Sequence, residues 1–95
     1  MLETFTYETF SERLNETFVI RLDDGSPLET RLAQVNLGSE ESARGRDRMP
    51  FALLFLGPPR PILPQRIYRM ENEAMGAFEL FLVPVGPGQY EAVFN

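Results

Sequence analysis

The side chains that could do chemistry in this 95-residue chain are few in kind. It contains no cysteine, histidine, lysine or tryptophan, and all nine of its basic residues are arginines. Thiolate and imidazole nucleophiles, Schiff-base lysines and cysteine or histidine metal sites are therefore excluded. Carboxylates, hydroxyls, tyrosines and arginines remain. We predict no metal, no cofactor and no catalytic residue.

A carboxylate enzyme is the catalytic class that this composition still allows. It would need two acids held in one cleft with separated pKa values. The most sheltered acids are Glu71, Glu79 and Glu91, each within an otherwise apolar stretch. Arginines such as Arg66 and Arg69 explain them more simply, as partners in ion pairs. We therefore expect that the protein is not an enzyme.

The arginines in the middle of the chain offer an anion-binding site. Arg44, Arg46 and Arg48 alternate beside a glycine, and arginine binds phosphate and carboxylate groups bidentately. The alternative is a solvated loop whose arginines pair with neighbouring acids. Nucleic-acid binding would add Tyr68 for stacking, but the net charge of −5 repels phosphate and argues against it.

Gln65 and Tyr68 are candidates for orienting a small molecule. An amide and a phenol inside a small barrel could position a ligand, or they could satisfy backbone groups at strand ends. The interior of a barrel of this size is normally filled by its own side chains. A small-ligand-binding barrel is therefore the alternative function.

The elements that must position these residues are mostly strands. Tyr7, Phe10 and Leu14 lie at helical spacing and predict one short helix over about residues 6–15, which Asn15 ends. Residues 38–48 are polar and without periodicity, which indicates a long exposed loop. Apolar stretches bounded by turn residues predict about six strands, at 16–22, 28–37, 51–56, around 67–68, 77–83 and 89–94.

This order of elements predicts the fold class. Strand follows strand through mostly short connections, so we expect a mainly β single domain over residues 1–95. It would be a small curved antiparallel sheet or a closed barrel, with the N-terminal helix packed on it or plugging it. Within 28–37 the apolar residues shift from even-numbered to odd-numbered positions, so the face that points inward changes. This predicts a bulge or bend near residues 32–34. Pro84 cannot donate to a ladder, so its strand should end there or lie at an edge.

Two strands carry apolar side chains on both faces. In PFALLFL, every second residue from Phe51 can point inward, and the residues between them point outward. The outward set needs a cover, either the helix or a second protein surface, and a homo-oligomer is the commonest source of such a surface. We predict a non-enzymatic structural or interaction module that binds itself or another protein through Leu54, Leu56, Phe81, Val83 and Val85.

The chain offers no sign of membrane insertion. Its longest apolar stretch is far shorter than the roughly 20 residues that a spanning helix needs. The N-terminus, MLETFTYETF, lacks the basic and apolar regions of a secretory signal. We expect a cytoplasmic protein.

The C-terminal half resembles a family of small bacterial domains of unknown function. The similarity lies in PFALLFLGP at 50–58, LPQRIYRMENEAMGAFELFLVPV at 63–85 and YEAVFN at 90–95. The family has no established activity, so the resemblance implies no reaction. It implies short stand-alone proteins, sometimes encoded near phage-tail-collar-like genes, and hence a role in a phage-tail-like or related assembly.

Overall fold

The computed structural model of the protein describes residues 5–38 and 50–94. In this part of the chain one helix precedes six strands, which form a closed barrel in which all neighbouring strands are antiparallel. The order around the barrel is β1-β2-β3-β6-β5-β4. This confirms the mainly β fold. The elements are α1 (Tyr7–Ser11), β1 (Thr17–Arg21), β2 (Pro27–Leu37), β3 (Phe51–Leu56), β4 (Arg66–Asn72), β5 (Gly76–Gly86) and β6 (Gln89–Phe94).

Alternation along each strand decides which side chains fill the interior. In β3, Phe51, Leu53 and Phe55 are buried and the residues between them are half-buried, as predicted. β4, β5 and β6 alternate in the same way and bury residues such as Met70 and Leu80. The barrel is therefore filled by its own side chains.

The helix is shorter than the predicted residues 6–15. Thr6 caps its N-terminus in a reciprocal box with Thr9, but the helix ends at Ser11. The chain then turns through Asn15, whose φ is 72° and whose backbone N–H donates to the Leu32 carbonyl at 2.8 Å. This bond to β2 redirects the chain before another helical turn can form. Leu14 consequently leaves the predicted apolar stripe and is 44% exposed.

The helix plugs one end of the barrel through Phe10. This ring is fully buried, and its centroid lies 5.5 Å from that of Phe94, 6.1 Å from Phe51 and 6.4 Å from Phe18. Edge-to-face and tilted ring pairs of this kind add to the gain from apolar burial. One aromatic side chain thus fastens the helix to rings from β1, β3 and β6.

Two register shifts bend the strands. The first lies between Leu32 and Gln34 in β2, where the sequence predicts a bulge or bend, and this confirms the prediction. The second lies between Pro84 and Gly86. The prediction that β5 ends at Pro84 or lies at an edge is wrong: β5 continues to Gly86 and Pro84 pairs with Tyr90. A bulge tolerates proline because the ladder is already interrupted there.

The opposite end of the barrel is closed by the β3–β4 connection, residues 57–65. Leu63 from this connection is buried in the core. Gly57 donates its backbone N–H to the Gly88 carbonyl at 2.8 Å. Gly88 has a φ of +70°, and a Cβ placed on it would lie only 2.5 Å from the Gly57 oxygen and 2.8 Å from the Pro58 oxygen. Only glycine fits at this crossing of two backbones.

We predict that Gly88→Ala strongly destabilises the fold, because the backbone of Gly57 and Pro58 must move. The matched control is Gly25→Ala, at a φ of +84° with no atom within 4 Å of the added Cβ. The control should lose only the roughly 1–2 kcal/mol of an unfavourable φ. Urea unfolding at one fixed protein concentration measures both. Equal losses would show that the crossing is not a steric constraint.

Candidate functional site

The outer apolar surface is the set of predicted contact residues on the outside of β3 and β5. Leu54, Leu56 and Val83 are half-buried, whereas Phe81 is 47% and Val85 48% exposed. The strand β6 lies between β3 and β5, and its register joins the two sides of the set, since Leu54 and Val83 both lie opposite Glu91. The structure thus brings residues from two separate stretches of sequence onto one side of the barrel.

Two further apolar side chains extend the outer apolar surface and were not predicted. Ile67 of β4 lies opposite Phe81, and Val93 of β6 lies opposite Ala52. Each is 58% exposed. Their outward parity was available from the sequence, but their neighbours depend on strand order, which the sequence alone does not fix.

The helix does not cover this surface. Phe10 is its buried residue, and it points into the end of the barrel among the rings of β1, β3, β5 and β6. The helix is one of the two covers predicted for the outward side chains of β3 and β5, and it therefore does not lie over them.

Glu91 carries an isolated charge within the outer apolar surface. Five charged residues in the described ranges are half-buried: Arg13, Glu16, Arg21, Glu71 and Glu91. Arg13 pairs with Glu16 at 3.1 Å and Arg21 pairs with Glu71 at 3.0 Å. Within residues 5–38 and 50–94, Glu91 makes no ion pair or hydrogen bond through its carboxylate. It is the exception to a consistent pattern of pairing.

The three carboxylates predicted to be the most sheltered do not form one catalytic cleft, and the prediction is wrong for Glu79, which is exposed. Glu71 accepts from Arg21 Nε at 3.0 Å and from Arg69 Nε at 3.4 Å. The hydrogen bond from Arg21, and then that from Arg69, hold the pKa of Glu71 below its usual value despite opposing desolvation. Glu79 lies opposite Arg69 and shares with Glu71 a groove of about 410 Å³, whereas Glu91 lies on the outer apolar surface. A lowered pKa is the reverse of what a general acid requires.

The structure does not bring Gln65 and Tyr68 together around a ligand cavity. Tyr68 is buried, and its hydroxyl donates to the Pro64 carbonyl. Burial raises the pKa of this phenol, and the nearby Arg66 guanidinium, 5.3 Å from the ring centroid, opposes that rise. Gln65 is exposed. Tyr68 therefore fastens the β3–β4 connection to the barrel.

Tyr90 holds the same connection from deeper in the core, a role that was not predicted, although its alternation with Ala92 and Phe94 indicates an inward side chain. Its fully buried ring places a hydroxyl that accepts from the Leu63 N–H at 3.0 Å and donates to the Pro61 carbonyl at 3.3 Å. The two tyrosines together hold the 57–65 connection across the end of the barrel.

Asn72 closes the seam between β1 and β4. Its Nδ2 donates to the Thr17 carbonyl at 3.0 Å and to Glu16 Oε1 at 3.2 Å, while its Oδ1 accepts from the Ala74 and Met75 N–H groups. It lines a groove of about 1010 Å³ beside the β4–β5 turn. Since the amide is fully engaged in these bonds, its role there is structural.

The predicted anion-binding residues Arg44, Arg46 and Arg48 lie outside the described residues. The described residues on either side of this stretch meet where Gly38 donates its N–H to the Pro50 carbonyl at 2.7 Å. Across 5–38 and 50–94 there is no cluster of three or more acidic, cysteine or histidine side chains that could hold a metal ion. The single helix of those ranges is also too short to cross a membrane.

Comparison with known families covers nearly the whole chain. Residues 5–94 match the family described as a domain of unknown function, DUF6916. The chain belongs to this family. The DUF6916 domain spans every described element from α1 to β6, in agreement with the resemblance of the C-terminal half to small domains of unknown function. No curated protein and no solved structure matches the chain.

We expect Tyr90→Phe to destabilise the DUF6916 domain more than Tyr68→Phe. The first leaves the buried Leu63 N–H without its acceptor, which costs about 1–3 kcal/mol. The second frees only the carbonyl of Pro64, an exposed residue that water can reach. Chemical denaturation of both variants gives the comparison. A larger loss for Tyr68→Phe would contradict the assignment of Tyr90 as the main tether.

Glu71 should make part of the stability depend on acid pH. Because its pKa is lower in the folded chain, its contribution is complete above the ordinary glutamate range and is lost as the pH falls through the lowered pKa. Glu71→Gln should therefore flatten the acid limb of the free energy of unfolding against pH. Glu73→Gln, in the exposed β4–β5 turn, controls for the loss of one negative charge. An acid limb unchanged by Glu71→Gln would rule out this contribution.

Proposed function

We propose that the protein is a non-enzymatic, self-associating structural module that acts through the outer apolar surface. The observation that carries this proposal is the partly exposed outer apolar surface on both sides of β6, which surrounds Glu91, a carboxylate without a partner among the described residues. Contiguous exposed apolar patches rimmed by polar residues mark interaction sites, whereas single scattered apolar residues do not. The resemblance of the C-terminal half to small bacterial domains that are sometimes encoded near phage-tail-collar-like genes supports a place in a phage-tail-like or related assembly.

The occupant that we propose is a second copy of the chain. A second copy carries leucines to pack on Leu54 and Leu56, and it carries arginine on the same side of the barrel, since Arg31 lies opposite Leu56. A different protein with apolar side chains around a cation is the rival partner. A solution of the pure protein distinguishes the two partners, because only a second copy can form a complex there.

Leu54→Glu and Val83→Glu should each weaken self-association about tenfold or more, because each places a second carboxylate beside Glu91 in a surface that loses water on contact. Ile62→Glu is the matched control, since Ile62 is 61% exposed but lies in the β3–β4 connection. Sedimentation velocity over a range of concentrations measures the effect.

Circular dichroism separates dissociation from unfolding in these variants. The folded spectrum should persist in all three. If Leu54→Glu and Val83→Glu instead unfold a monomer, those side chains belong to the core and the interface assignment is wrong.

A further inference from the structure

The two sides of β3 differ in their chemistry. On the β6 side, Glu91 lies opposite Leu54 and brings a carboxylate with no partner in the described chain. On the β2 side, Gln34 lies opposite Leu54 and Arg31 lies opposite Leu56, and both are exposed. The strand therefore has an acceptor along one side, donors along the other, and leucines between them.

Both donor side chains on β2 have N–H groups without a partner among the described residues. Arg31 uses Nη1 to donate to Asn15 Oδ1 at 2.9 Å, and its other guanidinium N–H groups have no partner within residues 5–38 and 50–94. Gln34 accepts from Asn36 Nδ2 at 3.2 Å through its oxygen, which leaves its amide N–H groups unengaged by the described residues. Both side chains can therefore donate to an incoming carboxylate.

This arrangement is complementary to itself about one particular axis. A two-fold axis along β3 keeps each residue at its level along the strand and exchanges the two flanks, so β6 of one copy faces β2 of the other. Glu91 then faces Gln34, with Arg31 one step further along the strand. An axis at right angles to the strands would instead place β6 on β6, and at the level of Leu54 it would oppose the two Glu91 carboxylates, whose like charges resist association.

We propose that two copies pack through β3 about the axis along that strand, and that Arg31 and Gln34 of each copy bind Glu91 of the other. Leu54 and Leu56 meet their own counterparts at the centre of the contact. This inference rests on the proposed function. It adds the orientation of the two copies and the side chains, Arg31 and Gln34, that bind the Glu91 carboxylate.

A charge swap tests this pairing in the full chain. Glu91→Arg and Arg31→Glu each place like charges near one another at both symmetric contacts, so each should weaken the dimer about tenfold or more. The double variant restores opposite charges and should return the dissociation constant to within about threefold of the wild type. Glu79→Arg and Arg60→Glu, exposed residues off the contact, are the matched controls and should change little.

The result of the double variant decides the inference. Recovery in the double variant, with both single variants folded and weakened, supports the pairing. If the double variant is as weak as the single ones, or if neither single variant weakens the dimer, the pairing is wrong, although loss of association in Leu54→Glu would still uphold the proposed function. A wild-type chain that stays monomeric at every concentration overturns both.

Discussion

Closure of six strands into one narrow barrel is the constraint on which the rest of the structure depends. The interior has room only for alternate residues of each strand, and these already fill it. Phe10 seals one end and Leu63 the other, so neither the helix nor the β3–β4 connection is free to cover the outside. The outward apolar residues of β3 and β5 therefore remain a surface.

Much of the fold could be predicted because its signals are local. The strand at Phe51–Leu56, its inward parity and the bend between Leu32 and Gln34 all follow from the order of apolar and polar residues. The length of the helix and the course of β5 beyond Pro84 could not be predicted in this way. Each depends on a distant partner, Leu32 for the turn at Asn15 and Tyr90 for Pro84.

The candidate site could likewise be predicted only in part. Parity alone identifies Leu54 and Val83 as outward apolar residues. Their meeting around Glu91 depends on β6 lying between β3 and β5, and the sequence does not give that strand order. That Glu91 lacks a partner within the described part of the chain stands out only once the pairing of the other half-buried charges is known.

The most direct test of self-association is the molar mass of the wild-type chain in solution, measured by light scattering after size exclusion over a wide concentration range. If β3 and its neighbours are covered by a second copy, the mass should rise with concentration toward about twice the 10.9 kDa of the chain. A constant mass of 10.9 kDa at every concentration would contradict self-association.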